Sequence, residues 1–214
     1  MKVGIFGTGD VGRALGRAFV TLGHEVKLGG REANNAKAVT WAKDNAPNAS
    51  AGTFAEAAEF GEIAVLATLG SANEAVLRAA GPERLAGKIV IDATNPLSHQ
   101  PGGLPGLSVS GNDSGGEQVQ RAVPQAHVIK AFNIVGNAHM FRPDFPGGPP
   151  DMFFCGNDEG AKRRVASLLG DFGWNPVDVG GIESARYLEA MCMVWVLYGI
   201  KTGGWSHAFK MLRK

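Results

Sequence analysis

A glycine-rich turn near the start of the chain carries the clearest chemical signal in the sequence. An apolar run at 3–6 leads into Gly7-Thr8-Gly9-Asp10-Val11-Gly12, and a helical pattern of apolar residues follows at once. Glycines in this G-x-G-x-x-G order, between a strand and a helix, are typical of dinucleotide-binding units. Gly7 permits the tight turn, Gly9 lets the backbone approach a pyrophosphate, and Gly12 lets the helix pack closely on the sheet. Free N–H groups at the helix N-terminus favour the phosphates, and a structural turn without a ligand is the alternative.

The end of the second predicted strand indicates which dinucleotide would bind. Enzymes that prefer NAD place an acidic residue there, about 20 residues after the glycines, to bind the ribose 2′-hydroxyl. In this chain Gly30 and Arg31 occupy the strand end, and an arginine can pair with a 2′-phosphate through two hydrogen bonds. Thr8 offers a hydroxyl donor, and Lys37 is a weaker candidate for the same phosphate. The sequence predicts NADP(H) rather than NAD(H), unless Arg31 only caps a turn and Glu32 binds the ribose.

Three later strand ends combine small or apolar residues with an amide or a hydroxyl. The residues are Thr68 and Leu69 after the fourth predicted strand, Asn95 and Pro96 after the fifth, and Asn133 after the sixth. Ligands in doubly wound sheets lie outside the carboxyl ends of the strands. We therefore expect these residues to bind the nicotinamide ring and its carboxamide, although Thr68 and Asn95 could equally form turns.

Side chains that could act as strong acids or bases are few. The sequence has neither a recognisable Ser-His-Asp set nor a tyrosine followed four residues later by a lysine. His99, His127 and His139 are more typical of surface or hydrogen-bonded histidines, and no His/Cys cluster indicates a metal site. Strand alternation places Lys130 on the opposite side of the sheet from Asn133. We therefore assign no catalytic acid, base or metal ligand.

Hydride transfer between a nicotinamide and a flavin-like ring suits this inventory. Both rings delocalise charge, so that positioning of the two reactants supplies most of the rate. An NADP(H)-binding sensor or regulatory module without turnover would carry the same residues, and it is the alternative. A β-hydroxyacid or imine reductase would share the glycine turn, but such enzymes need a larger helical substrate domain than this chain is expected to form.

The elements that must position these residues alternate between strand and helix. Strands are predicted at 3–6, 25–28, 49–51, 63–67, 89–92, 127–132, 152–155 and 176–179. Helices are predicted at 11–22, 34–43, 53–60, 71–80, 117–122, 158–169 and 184–198, with a short one ending at Leu212. Capping boxes at Thr53/Glu56 and Ser71/Glu74 mark two of the helix starts. The order predicts an α/β Rossmann fold, with a doubly wound and mostly parallel sheet and a small C-terminal helical cap.

The expected organisation is an NADP-binding Rossmann domain at 1–180 and a C-terminal helical segment at 181–214. The run 191–198 is apolar on every side, and such a helix is buried all round. We expect the helix at 184–198 to pack on the core and against a second copy in a homodimer. The same methionine and aromatic side chains could also wall a pocket for a flat ring.

Composition limits the partners that the chain can be expected to have. Of its 214 residues 19% are charged, and the net charge is +1. No basic cluster beyond 162–164 indicates a nucleic-acid surface. Cys155 and Cys192 lie in apolar surroundings, which is typical of buried free thiols in a reducing compartment. With no room for a signal peptide and no apolar run long enough to span a bilayer, we expect a cytoplasmic protein without a membrane partner.

These motifs together resemble the NADPH-dependent reductases of the deazaflavin coenzyme F420. The cytoplasmic domain of the six-transmembrane ferric and cupric metalloreductases is similar. The resemblance covers nearly the whole chain. It rests on the glycine turn with Thr8, the strand end with Arg31, and the segments 64–69, 128–133, 173–180 and 185–189.

The resemblance implies a Rossmann core with a small C-terminal helical part, commonly dimeric. It implies that the glycine turn holds the pyrophosphate, that Arg31 contacts the 2′-phosphate, and that the later strand ends form the ring-binding cleft. Archaeal deazaflavin reductases carry a histidine where this chain has Asn133, whereas the metalloreductases carry the Phe-Asn pair and pass electrons to a membrane haem. The hydride partner therefore stays open between F420, FMN and FAD.

Overall fold

Eight strands form a single sheet in the computed structural model of the chain, which describes residues 1–98 and 102–214. The strands of this sheet, together with the two strands of a separate hairpin, are β1 (Lys2–Phe6), β2 (Glu25–Gly30), β3 (Ala49–Thr53), β4 (Ile63–Leu66), β5 (Ile89–Asp92), β6 (Leu97–Ser98), β7 (Gly106–Leu107), β8 (His127–Lys130), β9 (Asp151–Gly156) and β10 (Asn175–Asp178). The helices are α1 (Asp10–Thr21), α2 (Ala36–Asp44), α3 (Phe54–Phe60), α4 (Asn73–Ala80), α5 (Gly115–Ala122), α6 (Glu159–Asp171) and α7 (Ala185–Thr202). The strand order is β10-β9-β8-β5-β4-β1-β2-β3, and β6 and β7 pair in a separate hairpin.

The direction of winding reverses between β1 and β4, which confirms the predicted doubly wound Rossmann fold. From β1 the chain adds β2 and β3 on one side, and from β4 it adds β5 and β8 on the other. Each of these neighbouring pairs is parallel, whereas β8 and β9 are antiparallel. Because parallel strands bring their carboxyl ends to one edge, the ends of β1 and β4 border the switch point where ligands bind in such sheets.

An apolar core fixes the sheet between its helices. All residues of β4 are buried, as expected for a parallel strand covered on both faces. On the α1 side, Phe172 follows α6 and contacts three other rings. Its ring centroid lies 4.9 Å from Phe19 on α1, 5.4 Å from Phe132 and 5.4 Å from Phe141. This aromatic cluster holds the segment after β8 against the helical layer.

The first predicted capping box is confirmed, and the second is wrong. The Glu56 N–H donates to Oγ1 of Thr53 at 3.2 Å, and the Thr53 N–H donates to Oε2 of Glu56 at 2.7 Å. The chain instead passes through a 3₁₀ turn at Gly70–Ala72, and α4 begins at Asn73 without a side-chain cap. Ser71 is exposed, and at the start of α4 the buried Asn73 side chain bonds instead to Thr68 after β4 and Thr94 after β5.

The C-terminal tail differs from the prediction. α7 extends to Thr202, and no helix follows within 203–214, where a short helix ending at Leu212 was expected. Gly203 ends α7 with a φ of 69°, a left-handed conformation that suits glycine. The tail then bonds to β9: the Asp151 N–H donates to the Phe209 carbonyl at 2.9 Å, and Oδ2 of Asp151 accepts the Met211 N–H at 2.7 Å. These long-range bonds replace the helical ones.

Cys155 and Cys192 are free and buried, as predicted. Burial raises the pKa of the Cys155 thiol to about 12 and that of the Cys192 thiol to about 11.

Within the described residues, no helix combines the length and apolar character needed to cross a membrane.

Candidate functional site

A cleft of about 410 Å³ opens at the switch point of the sheet. It brings together several predicted residues from the turn after β1, the end of β2 and the loop after β4. The lining residues are Gly7, Thr8, Gly9, Asp10, Val11, Arg31, Phe54, Ala67, Thr68, Leu69, Ala72 and Val76. The predicted phosphate-binding turn and the first of the predicted ring-binding strand ends therefore share one cavity.

The glycines of the turn have two different roles. Gly7 has a φ of 131°, and a Cβ there would overlap the carbonyl oxygen of Ala67. A Cβ on Gly12 would overlap the carbonyl oxygen of Gly7, so this glycine allows α1 to approach the turn. A Cβ on Gly9 would meet no atom within 4 Å. Gly9 therefore leaves space inside the cleft that no packing contact of the protein uses.

The N-terminus of α1 is open toward this space. Gly9 is the N-cap residue and provides no side-chain cap, and Asp10 in the first turn pairs with Arg13. The first N–H groups of a helix lack partners within the helix and carry its positive dipole end. An anionic group of a ligand in the cleft would satisfy them, as pyrophosphates do at such helix starts.

Arg31 is an exposed cation at the junction of this cleft with an apolar slot of about 290 Å³. Among the described residues it forms no ion pair. Phe54 and Val76 line both cavities, and alanines of α4 complete the slot. Such an apolar slot could hold an adenine ring, and the 2′-phosphate of the attached ribose would then lie beside Arg31. The sequence did not indicate Phe54 or Val76, because nothing distinguishes them from core residues.

The other predicted residues around β2 lie at different places. Gly30 is buried at the strand end, where an added Cβ would come within 3.4 Å of Cγ2 of Thr8. Lys37 lines a separate surface groove between α1 and α2, together with Arg13 and Arg17. Lys37 is the second residue of α2, and it is not among the residues that line the cleft with Arg31.

A chain of side-chain hydrogen bonds runs inward from the cleft. Oγ1 of Thr68 donates to Oδ1 of Asn73 at 3.1 Å, and Nδ2 of Asn73 donates to Oγ1 of Thr94 at 2.7 Å. Oγ1 of Thr94 donates in turn to Oδ1 of Asp92 at 2.7 Å. Leu69 is 78% exposed and presents an apolar side chain at the mouth of the cleft. The loops after β4 and β5 are therefore connected by neutral groups that end at one buried carboxylate.

The amide of Asn133 is buried and held in one orientation. Its Nδ2 donates to Oδ1 of Asn95 at 2.9 Å and to the backbone carbonyl of Leu188 at 3.0 Å. Nδ2 of Asn95 donates back to the Asn133 carbonyl at 2.8 Å. Oδ1 of Asn133 has no hydrogen-bond partner among the described residues. A buried acceptor without a partner needs an explanation, and a ligand N–H group would satisfy it.

Lys130 lies on the same side as Asn133, contrary to the expectation from strand alternation. Its Nζ donates to Asp92 at 2.9 Å and to Glu189 at 2.7 Å, next to the α7 residue that bonds to Asn133. β8 ends at Lys130 rather than at Phe132, because Phe132 has a φ of 64° and turns the chain. Burial alone would lower the pKa of Lys130, but attraction by Asp92 and Glu189 holds it above its ordinary value.

The remaining predicted residues add no acid or base at the cleft. Pro96 lines a second cavity of about 450 Å³ between α4 and α5. His127 lies at the opposite end of β8, 3.7 Å from Asp158, and His139 shares a hydrogen bond of 3.0 Å with Ser206. His99 lies outside the described residues. The cleft thus offers N–H groups, the cation of Arg31 and the neutral Thr68, whereas Asn95 and Asn133 do not line it and lie at the ends of the neighbouring strands.

Comparison with known proteins finds relatives along the chain. The family model described as NADP oxidoreductase coenzyme F420-dependent matches residues 2–96. The F420-dependent NADP reductase of Methanothermobacter marburgensis is 30% identical, over 94% of this chain and 93% of that protein. Metalloreductase STEAP3 of Rattus norvegicus is 28% identical over 89% of this chain, which spans only 36% of that protein's length. The crystal structure of a proposed F420-dependent NADP reductase from Arthrobacter sp. fb24 has a TM-score of 0.93 and 38% identity, and each chain covers 100% of the other.

Substitution of Gly9 tests whether the free space in the turn belongs to a ligand. Gly9→Ala should weaken NADPH binding at least about tenfold, since the Cβ blocks hydrogen bonds to a charged group. Its melting temperature should fall only slightly, because the Cβ meets no protein atom and only the N-cap preference for glycine over alanine is lost. Fluorescence titration with NADPH and thermal unfolding measure the two quantities.

Gly12→Ala is the matched control for this substitution. Its Cβ would overlap the Gly7 carbonyl oxygen, so the free energy of unfolding should fall by about 1–3 kcal/mol. Wild-type affinity of Gly9→Ala for NADPH would show that the turn does not bind the cofactor.

Proposed function

The chain belongs to the NADP oxidoreductase family that depends on coenzyme F420 and is an NADP-dependent oxidoreductase, and we propose that it transfers a hydride between NADP(H) and the deazaflavin F420. The observation that carries this proposal is that one cleft contains both an open glycine turn and the cation of Arg31, which forms no ion pair among the described residues. The turn and the start of α1 would hold the pyrophosphate. Arg31 would bind the 2′-phosphate, and the apolar slot beside it would take the adenine.

The ends of β4, β5 and β8 would bind the reacting ring. Thr68, Asn95 and Asn133 present neutral polar groups there, and the free Oδ1 of Asn133 suits the carboxamide N–H of a nicotinamide. When bound, the nicotinamide supplies or accepts a hydride, which is two electrons with one proton. The role of these residues is to orient the ring and exclude water, because both reacting rings delocalise charge.

F420 is favoured over FMN and FAD by the relatives. The archaeal protein that matches almost the full chain is named an F420-dependent NADP reductase. Leu69 and the neighbouring apolar surface of the cleft offer contact area for a flat ring, with no unpaired charge described at that end.

The assignment of Arg31 can be tested by cofactor preference. Arg31→Ala should raise the KM for NADPH about 10- to 100-fold and leave the KM for NADH unchanged, because hydrogen bonds to charged groups contribute about 1.5–3 kcal/mol. Lys37→Ala removes a similar charge from another groove and should keep the wild-type preference. Steady-state kinetics with both cofactors measure the ratio. Persistence of the NADPH preference in Arg31→Ala would show that another group binds the 2′-phosphate.

The hydride partner can be identified by an acceptor screen. In stopped-flow absorbance, NADPH is mixed with oxidised F420, FMN or FAD, and NADP⁺ is mixed with reduced F420. We expect rapid exchange of reducing equivalents with F420 in at least one direction and far slower reaction with FMN and FAD. Tight binding of NADPH without reaction with any partner would contradict the proposed transfer and favour a sensor.

The C-terminal segment 181–214 would supply the contact surface of a homodimer through α7. One face of α7 is buried on the core, through residues such as Leu188, Cys192 and Trp195. The other face exposes large apolar side chains, with Tyr187 73% exposed and Val194 59% exposed. Helix 184–198 is therefore not buried all round in the single chain. A second copy would cover this face by a two-fold contact, since exposed apolar patches commonly mark interfaces.

Light scattering after size exclusion tests the dimer. The wild type should elute with about twice the chain mass of 22.4 kDa, and Val194→Asp should dissociate at least about 100-fold more readily, because a charge would be buried without a partner. Val39→Asp puts the same change on an exposed valine of α2 and should stay dimeric. A monomeric wild type at micromolar concentration would exclude the dimer.

A further inference from the structure

Leu188 connects the Asn133 amide to α7. The Leu188 carbonyl accepts one of the two Nδ2 hydrogens of Asn133, and Asn95 accepts the other. A primary amide that donates both hydrogens to fixed acceptors has a fixed position for its oxygen. The direction of the free Oδ1 of Asn133 therefore depends on where the first turns of α7 lie.

Glu189, the next residue along α7, fixes that part of the helix through buried charge. Its Oε1 accepts from Nζ of Lys130 at 2.7 Å and from the Gly116 N–H at 3.0 Å, and its Oε2 accepts from the Gly115 N–H at 2.9 Å. Nζ of Lys130 also donates to Oδ2 of Asp92 at 2.9 Å, and the side chains of Lys130, Asp92 and Glu189 are at most 1% exposed. Charged hydrogen bonds in such surroundings are short and directional. A displacement of Glu189 would break several of them at once.

The backbone between Lys130 and Asn133 is also constrained. Phe132 has a φ of 64°, a conformation that a bulky side chain adopts only when its surroundings impose it. Here Lys130 is anchored to Glu189, and Asn133 is anchored to the adjacent Leu188. Two neighbouring residues of α7 thus hold both ends of the strained segment.

We propose that Lys130 and Glu189 are positioning residues, which hold the Asn133 amide so that its free Oδ1 meets the reacting ring. The kinetic consequence rests on the proposed hydride transfer, whereas the positioning is a property of the protein without cofactor. An ion pair with a structural role alone would affect stability and leave the Asn133 amide unchanged.

Nuclear magnetic resonance of the cofactor-free protein tests the positioning directly. The Asn133 side-chain NH₂ signals are identified as the pair that disappears in Asn133→Ala. Glu189→Gln keeps the side-chain shape and removes its charge, and it should shift these signals. Glu117→Gln is the matched control, because Glu117 joins α5 to Arg186 of α7 at 2.9 and 2.6 Å but does not contact Leu188. Unshifted signals in Glu189→Gln, or equal shifts in Glu117→Gln, would overturn the proposal.

Single-turnover kinetics test the consequence for the reaction. Glu189→Gln should slow hydride transfer about tenfold or more, because small misplacements of reacting groups are costly, and should leave the Kd for NADPH unchanged. In the Asn133→Ala background the same substitution should change the rate less than about twofold, since residues that act through one group are not additive. Additive losses would show that Glu189 acts independently of Asn133.

A variant that fails to fold and a wild type without hydride transfer have different consequences for the proposal. Should Glu189→Gln fail to fold, Glu189→Asp retains the charge and retracts the carboxylate, and the same shift and rate loss are expected. A wild type that transfers no hydride would refute the proposed function, and the NH₂ signals would then decide the positioning alone.

Discussion

The buried ion group of Lys130, Asp92 and Glu189 is the interaction on which the geometry around Asn133 depends. It joins β8, β5 and α7, and the Gly115 and Gly116 N–H groups extend it to the start of α5. Desolvation makes such a group a poor source of net stability, but removal of one partner leaves a buried charge and costs about 3–5 kcal/mol. One lysine faces two carboxylates, and the dipole at the α5 N-terminus offsets part of the excess negative charge. The arrangement therefore specifies one relative position of four elements.

The glycine turn at the cleft and the segment that carries Asn133 differ in how tightly the protein packs them. At the phosphate end the groups are exposed or lightly packed: Gly9 borders free space, and Arg31 is a solvent-exposed cation. After β8, Asn133 and Phe132 are buried, with one acceptor that has no partner among the described residues and one left-handed backbone conformation. Each of these features costs on the order of 1–3 kcal/mol. Packing of Phe132 on Phe172 and the bond to Leu188 maintain them.

Local sequence signals predicted the glycine turn and the helix start beside it well, and the structure around Asn133 only in part. The glycine turn and the Thr53/Glu56 capping box depend on residues a few positions apart, so the sequence shows them. Lys130 and Glu189 are 59 residues apart, and no local pattern connects them. Strand alternation misplaced Lys130, because alternation stops where β8 ends. The start of α5 was missed for a similar reason.

Gly115 and Gly116 illustrate why that start could not be predicted. Glycine disfavours helix interiors, yet both residues lie in the first turn of α5. A Cβ on Gly116 would lie 2.7 Å from Cβ of Ala185, and a Cβ on Gly115 would lie 3.0 Å from Oε1 of Glu189. The close approach of α7 therefore requires glycine there, and the carboxylate of Glu189 satisfies the N–H groups that the missing side chains expose. Only the tertiary structure supplies that reason.

Charge compensation at the ring end also bears on the chemistry proposed for it. A hydride carries negative charge from one ring to the other, so a fixed, unpaired charge beside one ring would favour one side of the exchange. Each carboxylate of the ion group has Lys130 as a partner, Glu189 also accepts two backbone N–H groups, and Thr68, Asn95 and Asn133 are neutral. The reduction potentials of the two bound rings would then determine the direction of transfer, and the protein would contribute the alignment of the rings. Such a transfer would need no free acid or base at the rings, which agrees with a buried lysine, Lys130, that two carboxylates hold in place.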